Sequence, residues 1–175
     1  MQVEEAIYSR RSIRRYSPRD VPDELVLKLI DAARQAPSSK NSQPWEFIIV
    51  RDQEVKEKLA QLAPYGRFIA QAPVVVAVVT DPEKSRFHMV DGALAVHNLT
   101  LAAWALGLGT CWIGTMDREK AKEILEIPEG KHLLTVLPIG YPAEQPQPRP
   151  RKPIEEITYL EKYGRKLPKH HGDST

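Results

Sequence analysis

Hydrophobic residues recur at helical spacing, at strand spacing and in unbroken runs along different stretches of this chain, and each texture predicts an element. Residues 2–10 set Val3, Ala6 and Ile7 on one side of a short amphipathic helix. Leu25, Val26, Leu29, Ile30 and Ala33 form the stripe of a second helix. It starts near Pro22, carries Asp23 and Glu24 at its positive end, and is ended by Pro37. A strand is expected over 45–50, then a third helix capped by Asp52 with Val55, Leu59 and Leu62 turned inward. The run VVVAVVT (74–80) has no polar alternation and predicts a strand buried on both faces. Residues 87–106 predict a helix roughly 30 Å long, stopped by Gly107. Its apolar residues cover most of the circumference, so it needs more than one covering neighbour. A short strand (109–113), a helix from Asp117 to about Glu126 and a strand over 133–140 complete the pattern.

From Tyr141 the texture changes. The stretch YPAEQPQPRPRKP is too rich in proline for helix or central strand and is expected to cross the surface as an extended arm. Helices and strands mix without regular alternation, which argues for an α+β fold. A chain of 175 residues holds one good core. Residues 1–163 are therefore read as a single domain and 164–175 as a polar, flexible tail. A net charge of +2 gives no global field for nucleic acid, so an anionic partner must be sought in local arginine clusters. The single cysteine, Cys111, excludes an internal disulfide and sites built on paired cysteines. The opening MQVEEAIYSRR lacks an apolar core of signal-peptide length, and a cytoplasmic location is expected.

Four segments carry chemistry. Arg10, Arg11, Ser12 and Arg14 offer guanidinium forks and a hydroxyl suited to phosphate, with Arg10 and Arg14 on one face if the helix continues. Cations complementing a helix end explain the same residues more blandly. The segment Pro37-Ser38-Ser39-Lys40-Asn41-Ser42-Gln43-Pro44-Trp45 is a polar loop clamped by prolines, able to meet the edge of a heteroaromatic ring or simply to turn the chain. Trp45 is a large aromatic for an exposed turn. In GLGTCWIG (107–114), glycines let backbone approach a ligand, although a helix stop accounts for Gly107 alone. Arg149, Arg151 and Lys152 lie on the proline arm, as a phosphate clamp or a solvated linker. Cys111, His88 and His97 are read as structural, and no constellation suggests a metal.

Taken together, RRSIR, PSSKNSQPW, DGALAVHNLTLAAWALG, GLGTCWIG and RPRKP, in this order over residues 7–152, resemble the FMN-dependent nitroreductase family. The resemblance implies a mostly antiparallel central sheet flanked by helices, in an intertwined homodimer with a C-terminal arm. It implies that Arg10 and Ser12 hold the FMN phosphate and ribityl chain, with Arg11 nearby, and that Arg14 lies by the pyrimidine edge of the flavin. Pro37, Ser38 and Ser39 would reach FMN bound mainly by the other subunit, supported by Asn41 and Gln43. Backbone at Ile113 and Gly114 would face the hydride-accepting part of the ring, and Arg149, Arg151 and Lys152 would close over the phosphate. No catalytic residue is implied, since the chemistry sits on the flavin. The implied activity is ping-pong electron transfer from NADH or NADPH to a nitroaromatic, quinone or flavin acceptor. Other flavin chemistry on the same scaffold, such as dehalogenation or flavin modification, and a non-catalytic anion- or flavin-binding module are the alternatives.

Overall fold

The computed structural model describes residues 1–167. Four strands form one sheet: β1 (Trp45–Val50), β2 (Val74–Thr80), β3 (Gly109–Thr110) and β4 (His132–Gly140), in the order β1-β2-β4-β3. Every neighbouring pair is antiparallel, so the fold is α+β as the mixed pattern predicts. All seven residues of β2 are buried, which fits a central strand without polar alternation. Val75, Ala77 and Val79 pack on one side with Leu59, Ile69 and Val136; Val74, Val76 and Val78 pack on the other with Leu29, Leu99 and Leu137. The β2–β4 register slips between Val78 and Val79, where the partners jump from Thr135 to Leu133. This bulge lets Leu133 and Val136, three apart, share one face.

Helices α2 (Asp23–Arg34) and α4 (His88–Ala105) cover one side of the sheet, while α3 (Gln53–Gln61) and α5 (Arg118–Ile124) lie on the other. Asp52 and Asp117 cap the latter pair, accepting from the backbone amides of Val55 and Lys120. Helix α2 stops at Arg34, before Pro37 is reached. Gly107 follows α4 at φ 76°, and the amide of Leu108 then returns to the Ala103 carbonyl at 2.8 Å. Among the described residues only one side of α4 is covered: Asp91, Ala95, Val96, Leu99 and Ala103 are buried, while Val90 and Leu94 are 59% and 41% exposed.

Three sequence expectations are corrected. The first helix, α1 (Val3–Ser9), buries only Ala6, and it ends before the arginines because Arg10 already has φ −54° and ψ 135°. The strand expected over 109–113 spans only Gly109–Thr110. Trp45, large for an exposed turn, is 8% exposed in the core as the first residue of β1, so its size reflects packing and not the loop before it. Past the short α6 (Ile154–Ile157), Tyr159 pairs with Lys166 in a small hairpin that takes in the start of the expected tail. The rest of that tail, residues 168–175 with His170 and His171, lies outside the described residues.

Gly109 shows what close packing requires at the sheet edge. A Cβ there would stand 2.4 Å from Cγ1 of Ile13, a side chain with no exposed surface. Gly109→Ala is expected to destabilise the protein by about 1–3 kcal/mol through overpacking, read as a lower urea midpoint with an unchanged m-value.

Candidate functional site

Residues 10–17 run extended, not helical, along the sheet edge. Ser12 bridges Thr110 in parallel register, and the amide of Ile13 donates to the Thr110 carbonyl at 3.0 Å. Strand alternation then puts Arg10, Ser12 and Arg14 on one side and plugs Ile13 into the core on the other. The two arginines share a face through a period of two, not through the helical spacing of four. Tyr16 locks the segment from below, its hydroxyl donating to the Ile13 carbonyl at 2.7 Å.

The root of the proline arm pairs with the same segment. Ser17 N–H donates to Tyr141 O and Ala143 N–H to Arg15 O, both at 2.9 Å. The Glu144 carboxylate accepts from the amides of Arg14 and Arg15. The arm thereby returns over the N-terminal arginines. Arg10, Arg11, Ser12 and Arg14 line a cavity of about 430 Å³ whose opposite wall is Pro146, Gln147, Pro148, Arg149 and Arg151. Lys152 does not line it.

Electrostatics in this cavity are unbalanced. Burial, then Arg151 and Arg11, disfavour the charged form of Arg10 and lower its pKa. Arg11 spends donors on the carbonyls of Tyr8 and Arg10, each at 2.9 Å, and Arg151 on that of Arg149 at 3.1 Å. Like charges gathered from both ends of the chain are the donor set for a phosphate dianion. The residues present fit such a group.

Two smaller cavities adjoin. One, about 280 Å³, shares Arg10 and Ser12 and is completed by Ala93, Val96, His97 and Thr100 of α4 with Thr110 and Trp112. The other, about 150 Å³, shares Arg14 and Trp112 and adds Tyr65, Phe68, Cys111, Ile113 and Gly114. A Cβ at Gly114 would meet nothing within 4 Å, so backbone is open to approach there. Cys111 is 5% exposed, and burial pushes its thiol up despite Arg14 and Ser12. It is a core residue and a poor nucleophile.

The polar loop stands apart from these cavities, none of which it lines. Lys40, Asn41 and Gln43 are left-handed, with φ 54°, 55° and 46°. Such backbone costs about 1 kcal/mol or more for a residue with a Cβ, so surrounding contacts must enforce it. His97 was read as structural, yet it is exposed and lines a cavity; its signal was the stripe Ala93, Val96, His97, Thr100 at helical spacing. Tyr65 comes from a turn and Phe68 from the short 3-10 helix Arg67–Gln71 that follows it, where no periodicity marks them. Among the described residues, no group of three or more His, Cys, Asp or Glu side chains could hold a metal ion, and no helix is long and apolar enough to cross a membrane.

An arginine-lined cavity walled by residues 7–14 and 146–151 lies beside an open glycine backbone on an antiparallel α+β scaffold, an arrangement suited to an anion and a flat ring. The Nitroreductase family profile matches residues 7–65 and 60–141. A Methanothermobacter thermautotrophicus protein provisionally named NADH dehydrogenase/NAD(P)H nitroreductase is 42% identical over 170 residues, covering 93% of this chain and 88% of the relative. An FMN reductase [NAD(P)H] of Bacillus subtilis is 32% identical over 185 residues, covering 93% and 74%. The solved FMN-dependent nitroreductase of Clostridium difficile superposes with a TM-score of 0.85 at 29% identity, covering 91% of this chain and 99% of that one. The chain belongs to the nitroreductase family.

An unneutralised arginine cluster stabilises the fold only when an anion fills it. Inorganic phosphate added to flavin-free protein is expected to raise the melting temperature. In Arg10→Gln and Arg151→Gln that rise should shrink, as measured by scanning calorimetry at constant ionic strength.

Proposed function

We propose that the protein is an NAD(P)H-dependent FMN oxidoreductase that works as a homodimer. The observation carrying this reading is the meeting of Arg10 and Arg151, from opposite ends of the chain, around one cavity. Family membership and relatives named as FMN reductase and NAD(P)H nitroreductase support it. When bound, FMN supplies the redox chemistry, taking hydride from NADH or NADPH and passing two electrons to a nitroaromatic, quinone or flavin acceptor in alternating, ping-pong half-reactions.

The chain's own residues supply position and charge. Arg10, Ser12, Arg149 and Arg151 hold the phosphate by charge-assisted hydrogen bonds, with Arg11 nearby and Lys152 at the margin. Arg14 sets a fixed cation at the pyrimidine edge, where it favours negative charge developing on reduction. Ile113 and Gly114 let backbone pack against the ring. The loop residues Pro37, Ser38 and Ser39, with Asn41 and Gln43 behind them, reach the site of the second subunit. The uncovered face of α4, with Val90 and Leu94 exposed, is the surface a second copy would bury. No side chain is needed as acid, base or nucleophile for hydride transfer.

An absorption spectrum of the purified protein, followed by anaerobic NADH and NADPH titration, tests the assignment. A flavin band that bleaches with reduced nicotinamide is expected; colourless protein that takes up no FMN would overturn it. Arg14→Gln should slow reduction by about tenfold or more while FMN affinity changes less than in Arg10→Gln. A variant held monomeric by charges at Val90 and Leu94 should lose bound FMN on gel filtration.

A further inference from the structure

Asp91 lies in the first turn of α4 and is 4% exposed. Its Oδ1 accepts from the Ser39 amide at 3.1 Å and its Oδ2 from the Ser85 hydroxyl at 2.9 Å. The Ser85 oxygen in turn accepts from the Phe87 amide at 3.0 Å. A buried carboxylate is costly to desolvate. The amino end of an 18-residue helix offsets part of that cost. A neutral, well-packed residue would stabilise the helix as well, so packing alone does not explain the carboxylate.

What the carboxylate holds is the left-handed loop. Among the described residues, the Ser39 amide is the one backbone donor of residues 37–43 tied to the rest of the fold by a side chain. From it the loop's internal bonds follow. Asn41 N–H donates to Ser38 O and Ser42 N–H to Ser39 O, both at 3.0 Å, and Gln43 N–H donates to the Ser38 hydroxyl at 3.0 Å. The far end is pinned where Asp81 N–H donates to Pro44 O at 2.8 Å. Among the described residues, the Ser39 hydroxyl makes no hydrogen bond of its own and stays available outward.

We infer that Asp91 is a positioning residue: its buried carboxylate clamps Ser39 and holds the strained loop 37–43 in the conformation that presents Ser38 and Ser39 to the flavin of the second subunit. The role in flavin binding rests on the function proposed above, whereas the clamp itself does not. Because Asp91 belongs to α4, the helix that carries the uncovered apolar face, the loop and that face would move as one body. Asp91 touches neither the arginine cavity nor the open backbone at Gly114, so it acts only through the loop.

The test compares wild type with Asp91→Ala, Asp91→Asn and Ser85→Ala as full-length proteins. Hydrogen exchange on the flavin-free form reads the clamp, and FMN titration by fluorescence reads its consequence. In Asp91→Ala the amides of 38–43 should exchange about tenfold faster while β2 and β4 stay protected, and FMN dissociation should rise by about tenfold or more. Asp91→Asn keeps an oxygen for Ser39 and should restore most of both properties; Ser85→Ala, which removes one donor, should fall between. Should Asp91→Ala fail to fold, the Ser85→Ala and Asp91→Asn pair decides by the same two readings. Loop exchange unchanged from wild type, or faster exchange with wild-type FMN affinity, would overturn the inference. Since exchange is followed without flavin, failure of the clamp is distinguishable from failure of the flavin assignment.

Discussion

The arginine-lined cavity depends on how residues 10–17 are gripped along the sheet edge. Ile13 has no exposed surface, and its close neighbour is the backbone of Gly109, where no Cβ could fit. The grip, through isolated bridges at Ser12 and Tyr16, gives a segment of mixed character one fixed course. Hydrophobic burial of one alternate side chain fixes the direction of its neighbours, and these are the arginines and the serine. The arm then joins through Tyr141, Ala143 and Glu144, so Arg149 and Arg151 inherit the same frame. Precision at a polar site thus derives from packing at an apolar one.

That frame holds its cations at a cost. Arg10 loses solvation and faces Arg151 and Arg11, which together disfavour its charge. Among the described residues no carboxylate pairs with Arg10, and the nearby Glu144 is engaged with the backbone amides of Arg14 and Arg15. A fold selected for stability alone would separate these groups or pair each with a carboxylate, as it does for Arg51 with Asp20 and Asp23. The contrast between the paired Arg51 and the crowded Arg10 is the one expected between surface ion pairing and the anion site proposed here.

Much of the architecture was legible because single periods dominate single segments. The buried run 74–80, the stripe of α2, the caps at Asp52 and Asp117 and the stop at Gly107 each express one local rule. Legibility failed where two rules compete. Arg10 and Arg14 satisfy helical spacing, but Ile13 between them gains more by entering the core from an extended chain. The strand beginning at Trp45 was legible, but the polar loop before it left open whether that ring serves a ligand or the core, and it serves the core. His97 was hidden for the opposite reason: helical periodicity identifies the face, but a face turned toward a cavity looks the same as one turned toward solvent. Asp91 opens the DGALAV segment, but nothing local signalled its role, since its partners Ser39 and Ser85 lie 52 and 6 residues away outside its helix.

Helix α4 gathers these strands of argument. Its first turn holds the loop through Asp91, its middle turns give His97 and Thr100 to a cavity shared with Arg10 and Ser12, and its end turns through Gly107 into Gly109 against Ile13. Its inner face is core, and its outer face carries Val90 and Leu94 uncovered. A surface this apolar costs solubility when left bare and gains free energy when a second copy covers it. Covering it would also fix the helix that bears the loop and one cavity wall. Dimerisation and ligand binding would then be linked through one rigid element, each raising the apparent strength of the other by the same factor.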